Sequence, residues 1–370
     1  MTHFHKSTNY GGVLQAYALC EYLNRRGHQA RQILYTHTAT KVSAAPVTAK
    51  ELLDKAAGRL RKKLYSRLNR QIKNRMESLF REFRDRVPHT SCEYTKDSIG
   101  SIARDFDAFV TGSDQVFNPI WYDPAYLLDF VGQDIPRVAY AASLGVGSLD
   151  DAQAQIFRTH LPAFRGVSVR EKTGSQLLTP LLGETVPVCV DPTLLLSAED
   201  WDEIAPSRKI QEPYVFLYLL GEDVKTRKLA EAFARTRGLK LVLIPDLMGA
   251  YRKKDWKLRG ERLLDITPGD FVSLIKHADY VLTDSFHACV FSLLYHREFF
   301  AFPRTGTVKT GSRIADLLEM FGCSQRFCCQ KEQQTLSALL SCEPLDYSAD
   351  SSAFSRELSR SVEFLEDHLR

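Results

Sequence analysis

A two-domain α/β fold with parallel sheets and crossover helices is predicted by three observations. Short β-rich runs alternate with helical patterns, the chain of 370 residues is too long for one ordinary core, and a proline-marked segment divides it near the middle. The expected strands are 30–36, 106–112, 137–143, 166–170 and 187–191 in the first half, then 214–220, 240–245, 280–284 and 298–302. Helices fill the gaps. The boundary falls between Asp191-Pro192-Thr193 and Glu212-Pro213, a segment that also holds Pro206 and the polar run Ser207-Arg208-Lys209. Domains over 1–195 and 196–350 follow, with a last helix over 351–370. Its apolar residues Phe354, Leu358, Val362, Phe364, Leu365 and Leu369 need a partner surface, expected on the first domain.

Composition narrows the class. Apolar residues make up 44% and charged residues 25%, as in a globular enzyme and unlike a disordered or fibrous chain. The net charge of +4 is unevenly spread: residues 50–86 hold 13 Lys or Arg against five acids, a local +8. Apolar positions such as Ile72, Met76, Leu79, Phe80 and Phe83 recur through that run, so it reads as amphipathic helices of an insertion over about 47–88. Its stripe faces the core and its charges face solvent or, alternatively, rest on anionic lipid. No zinc, RNA-binding or helix-turn-helix pattern accompanies the charge, which argues against nucleic acid. Eight cysteines without C-x-x-C pairs, and no apolar run of 18 residues, give the expectation of a reduced, metal-free cytoplasmic protein, peripheral to a membrane at most. The turn Asn9-Tyr10-Gly11-Gly12 should follow a buried strand, yet few residues precede it; a short or truncated first strand is expected.

Candidate chemistry gathers at strand ends. Thr267-Pro268-Gly269-Asp270 opens one helix, Asp279 to Asp284 reads as a buried strand, and Ser285-Phe286-His287 opens an almost wholly apolar helix. A helix N-terminus at the carboxyl end of a parallel strand suits an anion such as phosphate. Asp284 or Ser285 as a plain cap, with His287 hydrogen-bonded in the core, is an equal alternative. Asn9, Gly11 and Gly12 form a second turn through which a backbone can approach a ligand, or simply a tight turn before a packed helix. Asp114 and Gln115, followed by Asn118 and Trp121, suit sugar hydroxyls and a sugar face, and Asp114 could equally cap a helix. Arg170 offers a fork for carboxylate or phosphate, unless Glu171 or Asp191 pairs with it. Arg304, Lys309 and Arg313, with Ser312, place three cations within ten residues, for a polyanion or for solubility.

These pieces resemble, in order, the polysaccharide pyruvyl transferase family. The matching blocks are Asn9-Tyr10-Gly11-Gly12 with the helix to residue 19, Val110-Thr111-Gly112-Ser113-Asp114-Gln115-Val116-Phe117-Asn118-Pro119, Tyr140-Ala141-Ala142-Ser143-Leu144-Gly145 and Ser168-Val169-Arg170-Glu171. Asp191-Pro192-Thr193-Leu194-Leu195, Asp284-Ser285-Phe286-His287-Ala288 and Ser312-Arg313-Ile314-Ala315-Asp316-Leu317-Leu318 complete them. The resemblance implies two facing Rossmann-like domains of the GT-B type. It also implies transfer of the enolpyruvyl group of phosphoenolpyruvate onto two hydroxyls of a sugar in a surface polysaccharide or its lipid-linked precursor, without metal or organic cofactor. Arg170 and His287 match family positions linked to the donor. On this expectation His287 serves as acid and then base, and Asp114 orients or deprotonates the acceptor. Many members carry Arg-Leu-His where this chain has Ser285-Phe286-His287, so Arg304, Lys309 or Arg313 must supply the missing cation. A nucleotide-sugar glycosyltransferase and a non-catalytic glycan- or lipid-binding scaffold are the rival expectations.

Overall fold

The computed structural model describes residues 1–37, 66–245, 253–304, 311–347 and 352–370. In the first half β1 (Gln32–Tyr35) pairs with β2 (His89–Tyr94), and β3 (Phe109–Thr111), β4 (Arg137–Ala142) and β5 (Gly166–Val169) form a sheet in that order. In the second half β6 (Tyr214–Tyr218), β7 (Lys240–Leu243), β8 (Glu261–Arg262), β9 (Tyr280–Thr283) and β10 (Glu298–Ala301) lie in the order β10-β9-β6-β7-β8. All these pairings are parallel. Every residue of β4 and of β6 is buried, as strands covered by helices on both faces require. The helices that matter to the site are α1 (Tyr10–Arg25), α2 (Ser66–Arg84), α3 (Lys172–Leu182), α4 (Pro268–Lys276), α5 (Phe286–Leu294), α6 (Gly311–Met320) and α7 (Ser352–Leu369).

Three strand expectations need correction. Residues 187–191 make only a bridge, Val169 to Val188, because the segment then turns away. There the Val190 N–H donates to Ser361 Oγ, and the Tyr140 hydroxyl donates to the Val190 carbonyl. Strands β2 and β8 escaped notice. The former exposes Ser91, Cys92 and Glu93, and the latter is two half-buried charged residues at a sheet edge, so neither carries an apolar signature. At the chain start, the Met1 amine donates to the Val110 carbonyl and the Gly112 N–H donates to the Met1 carbonyl, so these residues lie along β3.

The halves share a continuous core through α1. Tyr10 stacks on Phe271 of α4, centroids 4.8 Å apart and 10° from coplanar, and its hydroxyl donates to the Ile266 carbonyl at 3.0 Å. Helix α7 returns to the first half: Phe364 packs against Tyr140, Ser361 receives the Val190 N–H, and Glu366 pairs with Arg26 at 3.0 Å. In α2, Met76, Leu79, Phe80 and Phe83 are buried while Arg70, Lys73, Arg75 and Arg81 face solvent. Arg84 departs from that pattern; it is buried, bonded to Glu77 at 2.6 Å and to the Ser7 carbonyl at 2.5 Å. The insertion's residues 47–65 lie outside the described residues. Among the described residues no helix is long and apolar enough to cross a membrane.

Tyr10 therefore ties the halves by both its ring and its hydroxyl. Tyr10→Phe is expected to cost about 1–2 kcal/mol through the unpaired Ile266 carbonyl, and Tyr10→Ala about 3–5 kcal/mol through the cavity, read from urea unfolding midpoints. Equal losses in the two variants would contradict this division.

Candidate active site

Two helix beginnings meet at the site. Helix α1 starts with Tyr10, Gly11 and Gly12, and its cap is Asn9, whose side-chain oxygen accepts the Gly12 N–H at 3.2 Å. Helix α5 starts with Phe286 and His287. They approach so closely that a Cβ on Gly11 would lie 1.9 Å from His287 Nδ1. Gly12 is nearly as confined, its Cβ position being 3.3 Å from Asp114 Oδ2. Glycine is required at residue 11 for this contact to exist at all.

The turn before α5 is fixed from within its own sheet. Asp284 accepts the N–H groups of Leu220 and Gly221 at 2.7 and 2.6 Å, so it ties the ends of β9 and β6 together and does not cap the helix. Ser285 occupies the cap position without a side-chain capping bond. His287 is buried, yet its Nε2 has no hydrogen-bond partner and lies 3.6 Å from Asp191 Oδ2.

Asp191 is the hub of the first-half residues. Its Oδ1 accepts from the Thr193 N–H and hydroxyl at 3.0 and 2.7 Å. Its Oδ2 accepts from Arg170 Nη1 at 2.5 Å and from Ser113 Oγ at 3.3 Å. Burial alone would push this carboxyl up, but His287 and Arg170 outweigh it and hold the group far below the usual carboxylate range. Asp114 stands beside it at a positive φ of 58°, with Arg170 Nη2 3.8 Å from its Oδ1. Burial raises its carboxyl too, and Arg170, His3, His287 and Arg313 together reverse the effect. Arg170 lies over the Phe286 ring at 4.7 Å, a contact between the halves. Burial lowers its guanidinium and the carboxylates around it, Asp191 foremost, more than restore it. Arg313, buried in α6, is pushed down to about 10 by burial and then by the like charge of Arg170.

The structure thus brings together Gly11, Gly12, Asp114, Arg170, His287 and Arg313. Arg304 stands at the border, donating to the Asp284 carbonyl at 3.1 Å. Gln115 accepts from Asn118 at 2.6 Å and shapes the loop, and Ser312 is exposed at the start of α6. Lys309 lies outside the described residues. His3 and the structural centrality of Asp191 were not legible in the sequence; Asp191-Pro192-Thr193 read as a strand end at the domain boundary, and Asp191 in fact caps a short 3-10 turn over Pro192–Leu194. Among the described residues no group of His, Cys, Asp or Glu is arranged to hold a metal ion.

The sequence profile described as polysaccharide pyruvyl transferase matches residues 9–305, which include Gly11, Asp114, Arg170, Asp191 and His287. The chain belongs to the polysaccharide pyruvyl transferase family. No curated protein matches it. Among solved structures it is similar to the UDP-GlcNAc 2-epimerase of Methanocaldococcus jannaschii, at 11% identity and a TM-score of 0.51, over 95% of this chain and 96% of that one. The UDP-N-acetylglucosamine 2-epimerase of Rickettsia bellii matches at 11% identity and a TM-score of 0.46, over 96% and 93% of the two chains. The first likeness bears on fold: two facing Rossmann-like domains in the GT-B manner, with the basic helix α2 in the first half and α7 packed back on that half.

Two outcomes follow for this family member. Gly11→Ala, which at an open helix position would add helix propensity, is expected instead to lower the melting temperature, because the new methyl displaces His287. An unchanged or raised value would contradict the close approach. The depressed carboxyls of Asp191 and Asp114 contribute stability that is present above the unfolded carboxyl range and lost as pH falls through about 4 toward their folded values. Urea midpoints measured downward from pH 6 should fall, and less steeply in Asp191→Asn.

Proposed function

We propose that the protein transfers the enolpyruvyl group of phosphoenolpyruvate to two hydroxyls of one sugar in a surface polysaccharide or its lipid-linked precursor, forming a pyruvate ketal and releasing phosphate. The supporting observation is a set of buried donors without acceptors: Arg170 Nε and Nη2, Arg313 Nε and Arg304 Nε. Each such orphan costs about 1–3 kcal/mol, and an anion with both a carboxylate and a phosphate is the ligand that would satisfy several at once. Two guanidiniums near enough to depress Arg313 also favour a multiply charged guest. On this reading Arg313 takes the place of the arginine that Ser285 lacks.

The chemistry balances on these groups. His287 gives a proton to the methylene carbon, which becomes a methyl group, and the first sugar hydroxyl bonds to C2 while Asp114 takes or directs its proton. The C2–O bond to phosphate then breaks and the phosphate leaves with the proton that Asp114 received, the second hydroxyl bonds to C2, and its proton restores His287 to its starting form. Of the two hydroxyl protons, one ends in the methyl group and the other on phosphate. No metal or organic cofactor enters these steps. On the acceptor side, Trp121 is 41% exposed and its carbonyl lies 3.2 Å from His37 Nε2, so its ring offers a face for a sugar. The exposed basic side of α2 suits the anionic inner leaflet of the cell membrane, where a cytoplasmic enzyme would meet a lipid-linked acceptor.

Incubation with phosphoenolpyruvate and a panel of lipid-linked or nitrophenyl sugars should release phosphate and add one pyruvate, less water, to the sugar mass. His287→Gln is expected to lower kcat by about 10²–10⁴-fold. Arg313→Lys should raise the KM for phosphoenolpyruvate about tenfold, since a point charge replaces a planar fork. Product formed only from a nucleotide sugar, or full turnover in His287→Gln, would overturn the proposal.

A further inference from the structure

We infer that Asp191 is a positioning residue that fixes the tautomer of His287, holding Nε2 as the N–H nitrogen and leaving Nδ1, the nitrogen against Gly11, to exchange protons with substrate. The inference rests on the reading of His287 as the proton donor of pyruvyl transfer.

A neutral imidazole has one donor and one acceptor nitrogen, and a carboxylate is acceptor-only. The nitrogen that faces a carboxylate is therefore the one that carries hydrogen. Nε2 faces Asp191 Oδ2 at 3.6 Å, just beyond hydrogen-bond contact, and has no other partner. Asp191 cannot swing away to avoid it. Its side chain is buried, and four donors already fix it: two from Thr193, one from Arg170 and one from Ser113.

The opposite nitrogen has the complementary surroundings. Nδ1 lies where a side chain at residue 11 would stand, against the first turn of α1. The partial positive charge of a helix N-terminus favours a lone pair there over an N–H. The groups around the ring are consistent with this division: the carboxylates of Asp191 and Asp114, the neutral Phe286 ring at 5.2 Å on its own helix, and the uncharged Gly11 from α1. Arg170 faces the same Asp191 oxygen, so the residue proposed to hold the donor's charge and the residue proposed to protonate its carbon share one anchor. Asp191 acts through both without touching substrate, much as a buried aspartate orients a catalytic histidine in other enzymes.

The test is nitrogen NMR of the full-length protein labelled with ¹⁵N-histidine, with His287→Gln used to assign the ring signals. The expected neutral form carries hydrogen on Nε2 and none on Nδ1. Asp191→Asn, whose amide can face the ring with either an oxygen or an N–H, should give a mixed population and lower kcat roughly 10–100-fold. Asp191→Glu should recover part of the tautomer preference and part of the rate. A wild-type spectrum with hydrogen on Nδ1 overturns the inference whether or not either variant folds, and so does an unaltered tautomer in folded Asp191→Asn. Absence of phosphate release by the wild-type protein would count against pyruvyl transfer itself; the ring-nitrogen spectrum decides the tautomer separately.

Discussion

The architecture of the site depends on one buried carboxylate set between a guanidinium and an imidazole from different halves of the chain. Asp191 takes Arg170 from the end of β5 and faces His287 from the start of α5, while Ser113 and Thr193 hold its oxygens in place. A carboxylate taken out of water costs several kcal/mol, and it stays charged only because its lone pairs are answered by well-placed donors. That requirement makes the arrangement specific. Moving either half would take His287 away from Asp191 while Arg170 stays with it, so the His287 contact helps to register the two domains.

Apolar contacts do the complementary work of closing the interface around that charge. Phe286 lies beneath the Arg170 guanidinium, Tyr10 stacks on Phe271, and Trp201 meets Phe291 edge-on at 4.9 Å with its indole N–H on the Thr193 carbonyl. Helix α1 can enter this interface because its first turn has no side chain at residue 11. Further along the same cleft, the Lys172 N–H at the start of α3 donates to Asp316 of α6 at 2.9 Å, and Lys172 Nζ pairs with Glu319 at 2.8 Å. A helix start in one half is thus met by a carboxylate from the other. The Lys172 pair is exposed, so exchanging that one contact for water would cost little.

The parts of this molecule that were legible in the sequence are those with a one-dimensional signature. Strands β4, β6 and β9 are apolar runs, β4 and β9 leading into polar residues, and Asp114, Arg170 and His287 follow strands closely enough to be noticed as strand-end groups. Edge strands β2 and β8 have no such signature, because a polar edge strand looks like a loop. Residues 187–191 show the converse: an apolar pattern between prolines looks like a strand, whereas only Pro187 and Cys189 bond the backbone of β5, and both backbone groups of Val190 go to side chains of β4 and α7. Asp191 was visible only as a possible partner of Arg170, since nothing in the sequence places His287 within reach of it. Arg84 looked like one more solvated charge, although it is buried against Ser7 and Glu77.

The serine at 285 carries a physical lesson about substitution within a family. A serine at a helix cap normally compensates for the loss of a longer side chain by bonding the helix N–H groups, yet Ser285 makes no such bond, and its own N–H goes to Thr283 Oγ1 at 3.0 Å. The helix start is therefore not rebuilt around the serine. Positive charge reaches the site by another route: Arg313 comes in from α6, and Arg304 comes from beyond the end of β10 and is held by the Asp284 carbonyl. Arg313 pays for its burial with a guanidinium pushed down to about 10, a cost that an anion between it and Arg170 would relieve. Under the proposed function an arginine displaced in sequence would serve the same field as one beside His287, because that chemistry requires a cation at a point in space and not at a position in a motif.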